Sequence, residues 1–143
     1  MTCVADASVV LKWFLPDEPY ADAAWTLVEN DEILIAPDFL IVEVCNAAWK
    51  CFRQERMEAQ EVLDIASILP RFLMELVGAS SLAPRASTIA VELDHPVYDC
   101  MYLALAETRK VPLVTADKRL LDKLTGSPWA NTAVHLEDYL PHC

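Results

Sequence analysis

The chain has 143 residues, 55% of them hydrophobic, and a formal net charge of −11. That length fits one domain with an ample core, while the charge has the wrong sign for a protein that holds phosphates through clustered Lys and Arg alone. With only two glycines, Gly78 and Gly126, a glycine-rich phosphate loop is excluded, and no G-x-G-x-x-G, G-x-x-x-x-G-K-[ST] or G-x-S-x-G occurs.

In chain order, residues 2–6 read as a first strand, and residues 7–14 and 20–29 as helices around a turn at Pro16 and Pro19. Residues 33–36 form a second strand that Pro37 ends. Asp38 suits the N-cap of the next helix. The apolar stripe of that helix is Ile41, Val44, Cys45, Ala48 and Phe52, at helical spacing, with Glu43, Asn46 and Lys50 on a neighbouring face. A helix over residues 57–69 makes a two-helix arm with it. Residues 73–77 read as a third strand and residues 84–93 as a helix. Residues 98–107 are apolar on every side except at Asp99, the mark of a helix buried in the middle of a fold. Residues 112–115 form a fourth strand, 118–124 a short helix and 132–136 a last strand. Strands alternating with helices imply an α/β fold whose mostly parallel sheet is covered on both faces. Such sheets bind ligands beyond the carboxyl ends of their strands.

Cysteine usage and the N-terminus point to a cytoplasmic protein. The five cysteines, Cys3, Cys45, Cys51, Cys100 and Cys143, are odd in number, form no C-x-x-C and sit mostly in apolar segments, as free thiols do in a reducing compartment. The N-terminus lacks a basic region, and Asp6 and Lys12 break its apolar run, so it makes a poor signal peptide. No uncharged stretch approaches a membrane span.

Four acids stand apart from their surroundings. Asp6 ends an apolar strand, Glu43 interrupts an apolar helix, Asp99 is the only charge between Val97 and Ala106, and Asp117 closes Leu113-Val114-Thr115-Ala116. Buried carboxylates are costly unless paired or bound to metal. Taken singly, Asp6, Asp99 and Asp117 also read as N-caps, and Glu43 as a stripe-edge residue near Lys50. Together, with two at strand ends and two on helices that flank them, they point to one pocket for a hard cation such as Mg2+, which relieves their repulsion. Ser8, Asn46 and Thr115 are polar residues placed to orient them; their simpler readings are a cap, a solvated face and a strand-end turn. His95, His135 and His142 lack metal-ligand spacing and read as surface or loop histidines. Small basic groups, Lys12, then Lys50, Arg53 and Arg56, then Lys118, Arg119 and Lys123, lie near three of the acids and are suited to guiding a phosphate backbone.

Four strings in order, V-A-D-A-S-V-V-L-K-W-F, I-V-E-V-C-N-A-A-W-K, V-Y-D-C-M-Y-L-A-L-A and V-T-A-D-K-R-L, resemble the motifs of PIN-domain proteins, in particular the VapC-type toxins of bacterial toxin–antitoxin pairs. The resemblance covers nearly the whole chain. It implies a three-layer α/β/α sandwich with a mostly parallel sheet and a protruding helical pair. It also implies a Mg2+- or Mn2+-dependent ribonuclease whose acidic quartet is Asp6, Glu43, Asp99 and Asp117, with Thr115, Asn46 and Ser8 as polar neighbours. The implied partners are RNA, a small antitoxin and a second copy of the chain. The implied reaction is hydrolysis of an RNA phosphodiester by metal-activated water, leaving 5′-phosphate and 3′-hydroxyl ends. Two other classes share some of these features. A phosphoacceptor signalling domain also has an acidic Mg2+ pocket, but it needs an acidic pair after the first strand and a Lys after the last. A non-catalytic binding module would use the acids as caps and the helical arm as its interface. A dehalogenase-type phosphatase would need a second Asp where Ser8 stands.

Overall fold

The computed structural model describes residues 1–139. Five strands form one sheet: β1 (Thr2–Ala5), β2 (Ile33–Pro37), β3 (Glu75–Val77), β4 (Leu113–Thr115) and β5 (Ala133–His135). All neighbouring strands are parallel, in the order β3-β2-β1-β4-β5. The register places Val4 beside Ile35 on one side and Leu113 on the other. Short apolar strands buried on both faces are what a covered parallel sheet requires.

Seven α-helices complete the fold: α1 (Ala7–Val10), α2 (Ala21–Glu29), α3 (Leu40–Arg53), α4 (Ala59–Ile68), α5 (Ala79–Leu93), α6 (Val97–Arg109) and α7 (Lys118–Leu124), with 3-10 turns at Leu11–Phe14, Leu69–Phe72 and Leu136–Asp138. From β1 the chain winds outward to β2 and β3, then crosses back to β4 and β5. Right-handed crossovers therefore put the two sets of helices on opposite faces. This is the three-layer α/β/α sandwich expected from the sequence. α6 packs against β1, β2 and β4. Its residues from Cys100 to Ala106 are all buried, as an all-round apolar helix should be.

Most boundaries move by a residue or two, and two helix starts differ more from the sequence reading. Asp38 does not cap α3, whose N-cap Phe39 makes no side-chain cap bond. Its Oδ1 instead accepts the Ala79 N–H at 3.1 Å, at the start of α5. α5 also begins earlier than Pro84, which lies inside it. A proline reads as a helix start because its missing N–H is harmless there. Here it sits deeper in, and α5 is held by burial of Leu82, Ala86, Ile89 and Leu93. Cys3, Cys45, Cys51 and Cys100 are free thiols. Cys143 and His142 lie outside the described residues. Among the described residues, no helix is long and apolar enough to cross a membrane.

Candidate active site

The strand order reverses between β1 and β4, which makes the region beyond their carboxyl ends the place where a sheet of this kind binds ligands. Asp6 follows β1 directly and is the N-cap of α1, 6% exposed. Its Oδ1 accepts the Ser8 N–H at 3.0 Å, the Ser8 hydroxyl at 2.5 Å and the Val9 N–H at 3.3 Å. Burial pushes the Asp6 carboxyl up to about 6, against the pull of hydrogen bonds from Ser8, Thr115 and Val9; the Asp99 charge pushes the same way as burial.

The Ser8 hydroxyl joins the two strand ends. Besides serving Asp6, it accepts the Ala116 N–H at 2.9 Å and lies 3.4 Å from the hydroxyl of Thr115. Thr115 is fully buried at the end of β4, and its Oγ1 accepts the Asp117 N–H at 3.0 Å. Asp117 is half-buried, and its Oδ1 caps α7 by accepting the Arg119 and Leu120 N–H groups at 3.0 and 3.2 Å.

Glu43 enters from α3 and Asp99 from the first turn of α6. Burial pushes Glu43 up to about 7, helped by the Asp6 and Asp99 charges. The Tyr102 hydroxyl, 3.3 and 3.4 Å from the two Glu43 oxygens, pulls the other way. Burial and the charges of Glu43, Asp6 and Asp99 all raise the Tyr102 hydroxyl in turn, which keeps it a donor. Asp6, Glu43, Asp99 and Tyr102 thus share one electrostatic neighbourhood. Asn46 lies a turn beyond Glu43, exposed to solvent.

The histidines correct the sequence reading. His95 is no bystander: its Nε2 lies 2.6 Å from Asp99 Oδ2, with only 17% of its side chain exposed. His135 is buried, and its Nδ1 accepts the Glu137 N–H at 3.0 Å. The four-residue step from His95 to Asp99 is a helical spacing, but Pro96 opens α6 between them and hides it. Tyr102 was legible only as one more apolar residue of a buried helix.

Among the described residues, no three His, Cys, Asp or Glu side chains converge tightly enough to hold an ion as they stand. The donor set nevertheless fits one. It consists of carboxylate oxygens, the ligands that hard cations choose, and two of them are pushed toward the neutral form by burial and by neighbouring carboxylates. Mg2+ keeps several waters and needs only one or two direct carboxylates, so loose convergence is compatible with binding. A recess of about 430 Å³ lined by Val28, Glu32, Arg71, Phe72 and Met74 lies elsewhere, by the amino ends of β2 and β3. It shares no residue with the carboxylates.

A family model described as "PIN domain" matches residues 3–125. The chain is 30% identical over 125 residues to Ribonuclease VapC3 of Pyrobaculum aerophilum, an alignment spanning 86% of this chain and 95% of that protein. A crystal structure of a protein from Pyrobaculum aerophilum superposes with a TM-score of 0.68 at 25% identity, covering 96% of this chain and 90% of that one. A toxin–antitoxin complex from Klebsiella pneumoniae shares the fold at 16% identity and a TM-score of 0.63, over 94% and 97% of the two chains.

Proposed function

Because this chain belongs to the PIN-domain family, we propose that it is an endoribonuclease, the toxin of a toxin–antitoxin pair, that cuts RNA with a divalent ion held by Asp6, Glu43, Asp99 and Asp117. The observation that carries this reading is the buried acidic group at the switch point of the sheet, where Asp6 and Glu43 are both raised by burial and by neighbouring carboxylates. Such a group is unstable alone and stable around a cation. Relatedness to a protein named Ribonuclease VapC3 supports RNA as the substrate. Mg2+ or Mn2+ bound here would supply the positive charge that the chain lacks and would favour ionised water near a phosphodiester.

The chain's own residues divide the remaining work. Ser8 and Thr115 fix the Asp6 carboxylate against the end of β4. Asp117 spends Oδ1 on capping α7, so it acts at the rim. His95 holds Asp99 from outside the helix, and Tyr102 holds Glu43 from the core. A small antitoxin and a second copy of the chain are the partners this reading brings with it, in the cytoplasm.

Labelled RNA incubated with the purified protein tests the proposal. Cleavage should require Mg2+ or Mn2+ and stop in EDTA. Asp99→Asn, which keeps the shape and removes the charge, should slow cutting by at least about 100-fold, as expected when a metal site loses a carboxylate that holds or orients the ion. Parental rates in that variant would remove Asp99, and with it the acidic site, from the reaction.

A further inference from the structure

The outer half of α3 has no part in the acidic site. We propose that Trp49, Lys50 and Arg53 there form a platform for single-stranded RNA, with a base stacked on Trp49 and phosphates held by Lys50 and Arg53. The inference rests on the ribonuclease reading and adds where the substrate lies.

Charge is the first ground. The chain carries 11 Lys and Arg against 22 Asp and Glu. Three of those cations are already tied to acids: Arg56 to Glu18, Arg85 to Glu107 and Arg109 to Glu75. Lys50 and Arg53 are exposed and enter none of the ion pairs among the described residues. Within α3 the only acid is Glu43. Against a field that is negative overall, this helix end suits an anion and repels a basic partner.

The indole is the second ground. Trp49 is 46% exposed, and the Arg53 guanidinium carbon lies 5.3 Å from its ring centroid. Trp49, Lys50, Arg53 and Gln54 line a recess of about 350 Å³. Cations in a last turn complement the helix dipole, which accounts for the charges but not for a half-exposed indole stacked with one of them. An aromatic face flanked by cations is the pairing that binds unstacked bases and their backbone without reading sequence.

Position is the third ground. Lys50 follows Glu43 by seven residues, so the two lie on one side of α3, about 10 Å apart along its axis. Trp49 and Arg53 lie further round the helix, so Lys50 is the member of the platform that links it to the carboxylate side. Val42 and Phe52 are also exposed on α3, so the same test must tell RNA from a protein surface.

A fluorescein-labelled single-stranded oligo(A) and a duplex RNA of the same length serve as probes, with the whole chain in EDTA at low salt. Trp49→Ala should bind the single strand about 10-fold more weakly and Trp49→Phe should restore binding, while duplex affinity stays unchanged. Lys50→Ala combined with Arg53→Ala should lower the slope of log affinity against log salt by about 2. In Mg2+, Trp49→Ala should raise KM for the single strand about 10-fold and leave kcat within about 2-fold. Unchanged affinity and KM in both variants would overturn the platform. So would an altered oligomeric state in sedimentation with RNA affinity intact, which would make this face a contact between copies. A parent that binds oligo(A) through Trp49 but never cuts in Mg2+ would leave the platform standing and sink the nuclease reading instead.

Discussion

Asp6 and Glu43 set the pH response of the protein. Their carboxyls rise from the usual 3.8 and 4.5 to about 6 and about 7. Each holds its proton to higher pH when folded than when unfolded, so the folded chain binds the extra protons between about pH 4 and 7. The metal-free protein should therefore be most stable on the acid side of that window and lose stability as pH rises through it, by roughly 3 kcal/mol from Asp6 alone. Thermal melts in EDTA across that range check the sign. Mg2+ or Mn2+ should restore the melting temperature at about pH 8 and do little at about pH 5, where both acids keep protons. A second expectation concerns Ser8, which serves Asp6 and Ala116 together. Ser8→Ala should cost about 1–3 kcal/mol in a denaturant melt, because it leaves the Ala116 N–H without its acceptor and takes one of three donors from a buried carboxylate oxygen. The acids were legible in the sequence because a charge at the end of an apolar strand has few explanations. Ser8 as the link to β4 was not, since its partners lie over a hundred positions away. Neither was His95, masked by Pro96.

Among the helices, α6 anchors the molecule. Leu103, fully buried at its centre, should cost about 3–5 kcal/mol when replaced by Ala, measured by chemical unfolding, because the surrounding sheet and α5 cannot collapse into the gap. Its place was legible in the sequence: a helix apolar on every side, with one acid in its first turn, is usually central. Helix ends were less legible. Asp94 caps the carboxyl end of α5 and Lys110 that of α6, both in left-handed conformation at φ 53 and 55. Glycine usually takes such positions, and this chain has only two. Lys110→Gly should stabilise the protein by about 1 kcal/mol, read as a rise in melting temperature. With so few glycines, helix ends carry little local punctuation. The early start of α5 was hidden in the same way, since Pro84 looked like its beginning and the carboxylate that accepts its first N–H, Asp38, comes from another part of the chain.

The whole molecule follows one rule, that a doubly wound parallel sheet gathers what lies at the carboxyl ends of its central strands. Alternation of strands and helices was enough to predict the sheet, and the sheet was enough to bring Asp6 beside Thr115. Strand order was beyond local pattern, because β1 and β4 meet only after three strands and six helices have been laid down. The bond from the Ala116 N–H to Ser8 spans 108 residues. Chains emerge from the ribosome amino end first, so most of the polypeptide is outside before that bond can form. A nascent chain that has emerged only as far as α6 has Asp6, Glu43 and Asp99 in hand and no β4 to set them against. On the nuclease reading, a partly synthesised chain that stops short of β4 lacks the backing that fixes Asp6, so cutting power comes late in synthesis.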